Sequence, residues 1–388
     1  MNVHPLALAA FCIASLPAFA SHEESGVTHF LPGEVWPDTS GIHINAHGAG
    51  ILHHDGVYYM FGEHKSDASM GTRAFVGIRV YASQDLLNWT DRGVALPVSD
   101  DPLSEIPPGC VMERPKVIFN EHTGTFVMWF RLDLKAHGYR AARTAVAVAD
   151  EVTGPYRHLY STRPNGGRFP TNITDELKER VLRGDTQIDA DQRRNMSKPE
   201  RADTYFVRDF YGGQMARDMT LYQDDDGTAY HIFAAEENMT LHIAELDQTY
   251  TRHTGRYMRL WPGGHREAPA MFKRGDTYHL ITSGCTGWKP NAAEHAHAPS
   301  IWGPWTITGN PAVGPQANIT FDSQSTFVLP VDGMDDAFIF MGDRWEPQDP
   351  ITSSYVWLPI AFEGDRAILR NTDRWGLDVF KRPVPARP

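Results

Sequence analysis

Cysteine is scarce in this chain. Of the three in 388 residues, Cys12 sits in an apolar N-terminal run. Cys110 and Cys285 remain, and two readings stay open for them: one disulfide, or two buried free thiols. Either way, a disulfide-built scaffold is excluded. Positive charge is also short, with 36 Lys and Arg against 48 Asp and Glu and a net charge of −12 at pH 7. That argues against nucleic acid and an anionic membrane surface as partners. After the N-terminal segment no apolar run approaches the ~18 residues that a membrane-spanning helix needs. There is no P-loop, no G-x-S-x-G and no Rossmann fingerprint. The 18 histidines include His53-His54, His43 with His47, and His295 with His297, none in a three-ligand zinc spacing. Asp224-Asp225-Asp226-Gly227 lacks the spaced ligands and terminal Glu of a calcium loop and reads as a turn. No metal and no cofactor are expected.

What is present begins with a secretory pattern. Leu6 to Leu16 is apolar and Ala18-Phe19-Ala20 is a small-residue cleavage site, so residues 1–20 read as a signal peptide and the mature chain as secreted or periplasmic. Five units of short strands then follow. Each has an apolar strand, a turn, a strand rich in Tyr and Phe, and a third strand. Asp55-Gly56 between Leu52 and Val57 is a strong hairpin signal. The apolar runs are too short for core helices, and no helix alternates with the strands. Radial repetition of small sheets fits this spacing, so the expected fold is all-β, a five-bladed β-propeller over residues 21–388. One long polar interval, about 162–213, reads as an insertion between the second and third units. Within it Thr174 to Leu182 has the pattern of a short helix with a Thr or Asp cap. The insertion either walls the site or lies idle on the surface.

Carboxylates recur at one place in the repeat. Glu113 precedes Lys116-Val117-Ile118-Phe119, Asp218 precedes Met219 to Tyr222, and Glu267 precedes Ala270-Met271-Phe272. In a propeller the inner strands converge on a central channel, so these three acids are expected near the axis. Glycoside hydrolysis needs such a group: a protonated acid for the leaving oxygen and a residue on the opposite face that positions water. A third carboxylate can hold the acid's pKa up by like-charge proximity. The bland reading of any one acid is a hydrogen-bonding residue at a strand end; the repetition argues against it. At the fifth unit the matching place holds Gln324, and at the first it holds Ala46-His47-Gly48-Ala49-Gly50. The small residues there imply close backbone approach or room for substrate. His47 reads as a site residue or a satisfied channel histidine, with slight preference for the latter.

The stretches INAHGAGIL, YYMFGEHK, VMERPKVIFN, RDMTLYQDDDGTAY, EAPAMFKRGDTYHLITSGCTGW, SQSTFVLP and FMGDRW resemble glycoside hydrolase family 43, the five-bladed propeller glycosidases. The likeness spans about residues 36–375 and is greatest to the exo-β-1,3-galactanase branch. Most of that family carries an Asp general base on the first blade. It is missing here, as it is in the galactanase branch, where a Gln takes over water positioning. The resemblance implies Glu267 as general acid, Glu113 as the neighbour that tunes or binds, and Gln324 as the water-orienting residue. It implies sugar contacts from Glu63, Tyr139, Asp218, Asn238 and Trp288. The expected activity is inverting, exo-acting release of galactose from β-1,3-galactan, such as an arabinogalactan backbone, with a polysaccharide or oligosaccharide as substrate. Two alternatives stand beside it: an α-L-arabinofuranosidase or β-xylosidase on the same scaffold, and a sugar-binding propeller without catalysis.

Overall fold

A two-residue hairpin opens the first sheet. Asp55 and Gly56 both take positive φ, 49° and 75°, as a type I′ turn demands. They join Gly48–Leu52 to Val57-Tyr58-Tyr59, whose β-branched and aromatic residues favour the pleat. The computed structural model describes Met1 and residues 26–185 and 194–381. The expected signal peptide, apart from Met1, lies outside the described residues.

Among the described residues five sheets follow one another along the chain, antiparallel but for one two-residue strand. The first is β1 (His47–His54), β2 (Val57–Glu63), β3 (Gly77–Ser83) and β4 (Thr90–Pro97). The second is β5 (Val111–Asn120), β6 (Thr125–Asp133), β7 (Arg143–Ala149) and β8 (Arg157–Thr162). The third is β9 (Met219–Gln223), β10 (Ala229–Ala235), β11 (Thr240–Leu246) and β12 (His253–Leu260). The fourth is β13 (Arg266–Arg274), β14 (Thr277–Gly284), β15 (Glu294–Ala298) and β16 (Thr306–Gly309). The fifth holds β18 (Gln324–Pro330), β19 (Phe338–Arg344), β20 (Ser354–Glu363) and β21 (Arg366–Arg370), with β17 (Ala312–Val313) added parallel to β21.

The first strand of each sheet lies inside. β1 touches β5, β5 touches β9, β9 touches β13, β13 touches β18 and β18 touches β1, so the ring closes. The protein is an all-β five-bladed propeller. Its apolar side chains fill the junctions between blades. Phe61, Ile78 and Val80 meet Val117, Met128 and Phe130 between blades one and two. Met60 and Trp89 meet Ile339 and Trp357 between blades one and five. Because both faces of each blade are covered this way, the strands read as continuous apolar runs rather than alternating ones.

The interval between blades two and three carries, among the described residues, α1 (Asp175–Arg183) and α2 (Lys198–Asp209). Thr174 caps α1 by accepting from Leu177 N–H, matching the expected helix and cap. Ser197 and Glu200 form a capping box on α2. Leu177, Val181, Phe206 and Val207 bury against Leu221, Phe233 and Tyr257 of blade three, so both helices are packed on the propeller. Both cysteines beyond the N-terminal segment are free thiols, Cys110 buried and Cys285 half-buried.

Blade one approaches the axis with little bulk. A Cβ on Gly62 would fall 2.2 Å from the backbone carbon of Ala46. Gly62→Ala should therefore force strands β1 and β2 apart, at a cost of about 1–3 kcal/mol. Urea unfolding of the variant measures this; an unchanged midpoint would mean that the Ala46 backbone can retreat.

Candidate active site

Four inner strands share one irregularity near their start. An extra residue is inserted between His47 and Gly50, between Glu113 and Lys116, and between Glu267 and Ala270, and a similar shift falls between Ser325 and Phe327. In the first three the next residue is left-handed: Gly48 at φ 58°, Arg114 at 56° and Ala268 at 52°. Such bulges bend a strand and re-aim its side chains. His47, Glu113, Glu267 and Gln324 thereby stand at one level. They pair across the hairpin with Glu63, Arg131, Ser283 and Asp343. Asp218 lies one residue before β9, its carbonyl accepting from Ala234 N–H at 2.9 Å.

These strand ends surround a cavity of about 300 Å³. All eight residues expected at a site line it: Glu63, Glu113, Tyr139, Asp218, Asn238, Glu267, Trp288 and Gln324. His47 does not. It is fully buried and stacked on Tyr355 at 5.2 Å, and neither ring nitrogen meets a protein hydrogen-bond partner among the described residues. Of the two readings of the glycines beside it, close approach is the one observed. A Cβ on Gly48 would lie 2.3 Å from Glu63 Oε1, and one on Gly50 would lie 2.2 Å from Lys116 Cδ.

Glu267 sits among amide donors. Asn238 Nδ2 donates to its Oε2 at 3.0 Å and Gln324 Nε2 to its Oε1 at 3.1 Å. Gln324 is held on both sides. Its Nε2 also donates to Ser283 Oγ at 2.9 Å, while its Oε1 accepts from Arg114 at 2.5 Å and from Trp345 Nε1 at 3.2 Å. Two obligate donors on one side fix which end of the amide is oxygen. Arg114 also donates to the Ser325 carbonyl at 2.7 Å and pairs with Asp218 at 3.1 Å. Arg131 pairs with Glu113 at 2.8 Å, Asp218 at 3.2 Å and Asp133 at 2.8 Å. Glu63 accepts from Arg114 N–H at 3.0 Å and is ion-paired with Lys65. At the mouth, Tyr139 is 55% exposed and lies 5.0 Å from the Arg131 guanidinium. Trp288 is 41% exposed and meets Trp345 edge-on at 5.7 Å.

The charges differ by environment. Burial, then the Asp218 charge, raises Glu267 to about 7, against the pull of Arg114. Burial raises Glu113 as well, opposed first by Arg131. Burial would raise Asp218 too, but Arg114 and Arg131 outweigh it and hold this carboxyl below its usual value. Two acids that hold a proton near neutrality thus surround one that stays ionised, a separation that acid catalysis uses.

Asn238 ends a turn in which Glu236, Glu237 and Asn238 all have left-handed φ, 54°, 58° and 62°. Each such residue costs on the order of 1 kcal/mol. The turn persists because Glu236, fully buried, accepts from Arg259 at 2.7 Å twice, from His242 at 2.9 Å and from Thr240 at 2.5 Å.

A five-bladed propeller with an acid-lined pocket at its axis is the frame of a glycosidase, and comparisons agree. The sequence profile "Glycosyl hydrolases family 43" matches residues 201–364. A solved β-1,3-galactosidase of that family, in complex with galactodeoxynojirimycin, is 47% identical, covering 90% of this chain and 100% of its own at a TM-score of 0.84. An exo-β-1,3-galactanase from Phanerochaete chrysosporium, solved with β-1,3-galactotriose, is 31% identical over 90% of this chain and 69% of its own, at a TM-score of 0.71. One from Clostridium thermocellum is 34% identical over 89% and 66%, also at 0.71. No curated protein matches. The chain belongs to glycoside hydrolase family 43.

Sequence reasoning passed over Lys65, Arg114, Arg131, Arg217, Cys285 and Trp345, which also line the cavity. Arg131, Ser283 and Asp343 could not be read off the hairpins either. Folding each hairpin about its turn sets Leu132, Gly284 and Arg344 opposite Glu113, Glu267 and Gln324, and the bulge moves each pairing by one residue. Arg114 depends on the same bulge. Arg114→Met should leave Asp218 with one cation fewer in a buried place and lower the unfolding free energy by about 3 kcal/mol or more. Guanidinium unfolding at pH 7 measures it; a loss below about 1 kcal/mol would show that Arg114 is dispensable to the ring.

Proposed function

We propose that this protein is a secreted or periplasmic, exo-acting, inverting β-1,3-galactanase that removes terminal galactose from β-1,3-galactan. The observation that carries the reading is Glu267: a carboxyl raised to about 7 at the floor of a cavity whose mouth bears an exposed Trp288. Glu267 protonates the departing oxygen. Asp218, kept ionised by two arginines, favours that proton on Glu267. Trp288 offers a ring face for the terminal sugar, and Glu63, Tyr139 and Asn238 stand where hydroxyls would meet them. Glu113 takes a neighbouring contact. Gln324 orients the water. All four hydrogen-bonding positions of its amide are occupied, so substrate must exchange the bond to Glu267 for one to water. The attacking water's proton needs the imidic tautomer of the amide or a relay, because an ordinary amide is not a base. The substrate assignment is supported by the galactosidase and galactanase relatives, including those solved with galactodeoxynojirimycin and β-1,3-galactotriose.

Glu267→Gln should lower turnover of β-1,3-galactobiose by at least ~10²-fold while binding persists. Product analysis on β-1,3-galactan beside arabinofuranosyl and xylosyl substrates identifies the sugar. Arabinose or xylose alone would move the substrate, and full activity in the variant would remove Glu267 from the chemistry.

The acid must carry its proton, so turnover should be greatest well below pH 7 and fall as pH rises through about 7. Asp218→Asn removes a charge that holds Glu267 up, and should shift this alkaline limb to lower pH. A limb that stays in place, or moves up, contradicts the assignment.

A further inference from the structure

Helix α2 reaches the site without entering it. We infer that α2 is a positioning element of the active site, holding the left-handed turn Glu236–Asn238 so that Asn238 stays against Glu267. This rests on the roles proposed above for Asn238 and Glu267.

Two arms run from α2 to consecutive residues of that turn. In the first, Asp203 accepts from Arg259 Nη2 at 2.9 Å, and the same guanidinium grips the buried Glu236 through Nε and Nη2, each at 2.7 Å. In the second, Arg208 donates to Glu237 Oε1 at 3.1 Å, while Arg217, a cavity-lining residue, donates to its other oxygen at 2.7 Å. Asn238 is the next residue, and its Nδ2 donates to Glu267 at 3.0 Å. The first turn of α2 also abuts the segment that leads into β13. A Cβ on Gly263 would fall 2.5 Å from Pro199 N, and Gly263 N–H donates to Met239 O at 2.8 Å. Helix, turn and the strand that bears Glu267 are thus packed against one another.

A left-handed run of three non-glycine residues does not hold itself; it needs partners on its side chains. Here the helix supplies one partner directly and orients another. Asn238 Oδ1 is buried without a protein partner, so the amide is aimed by its backbone and by Glu267 alone. Any slackening of the turn therefore moves the donor that Glu267 receives.

Kinetics on β-1,3-galactobiose test this. Asp203→Ala and Arg208→Ala should each lower kcat/KM roughly tenfold, mainly in kcat, because small misplacements near the reacting atoms are costly. Both should shift the alkaline limb upward, since a carboxylate that loses an N–H donor holds its proton more tightly. Asn238→Ala should do the same, and Asp203→Ala added to Asn238→Ala should cost less than about twofold more. Arg183→Ala, in a surface pair on α1, should leave the kinetics unchanged. If Asp203→Ala fails to fold, the isosteric Asp203→Asn replaces it with the same expectation. Wild-type kinetics in the two helix variants, or effects that multiply with Asn238→Ala, would overturn the link while leaving the site reading intact. Wild-type kinetics in Asn238→Ala would overturn that reading of Asn238 and the link together.

Discussion

The site depends on where one guanidinium lies. Arg114 is inside the ring, left-handed at φ 56°, with its backbone N–H on Glu63 of blade one. Its side chain reaches Asp218 of blade three and both Gln324 and the Ser325 carbonyl of blade five. A buried cation is tolerable only when it is paired and its donors are satisfied. Here that satisfaction ties four blades together and fixes two residues around Glu267. Asp218 stays ionised because of this cation together with Arg131, and Gln324 presents its nitrogen to Glu267 because its oxygen is already taken.

The propeller supplies the rest through repetition. Each blade sends one inner strand to the axis and pairs it with a second strand, so residues of both can reach the cavity, as Glu113 and Arg131 do in blade two. The bulges lift that level out of the regular pleat. The same backbone position holds His47, Glu113, Glu267 or Gln324, and the chemistry follows from what each meets. His47 meets Tyr355 and is buried away from the cavity. Glu113 meets Arg131. Glu267 meets amides in a desolvated place and keeps its proton near neutral pH.

Much of this was legible in the sequence. The blades showed as apolar runs separated by turns such as Asp55-Gly56, because burial on both faces suppresses alternation. The acids showed because they recur before equivalent strands. The cation network did not show. Arg114 and Arg131 look like ordinary charged residues in a strand, and only the closed ring brings them to acids of other blades. His47 could not be placed either, since its burial against Tyr355 comes from a strand 308 positions away. The contacts of the insertion were equally hidden, because Asp203 meets Arg259 and Arg208 meets Glu237, both of blade three.

The most direct test of the account is the configuration of the sugar at the moment of release. Proton NMR during hydrolysis of β-1,3-galactobiose reads the first anomer formed, before mutarotation. With Glu267 as acid and a water oriented on the opposite face, the terminal galactose should appear as the α-anomer. Initial release of the β-anomer would mean a covalent intermediate on the protein and would contradict a mechanism in which Gln324, not a nucleophilic carboxylate, faces the anomeric carbon.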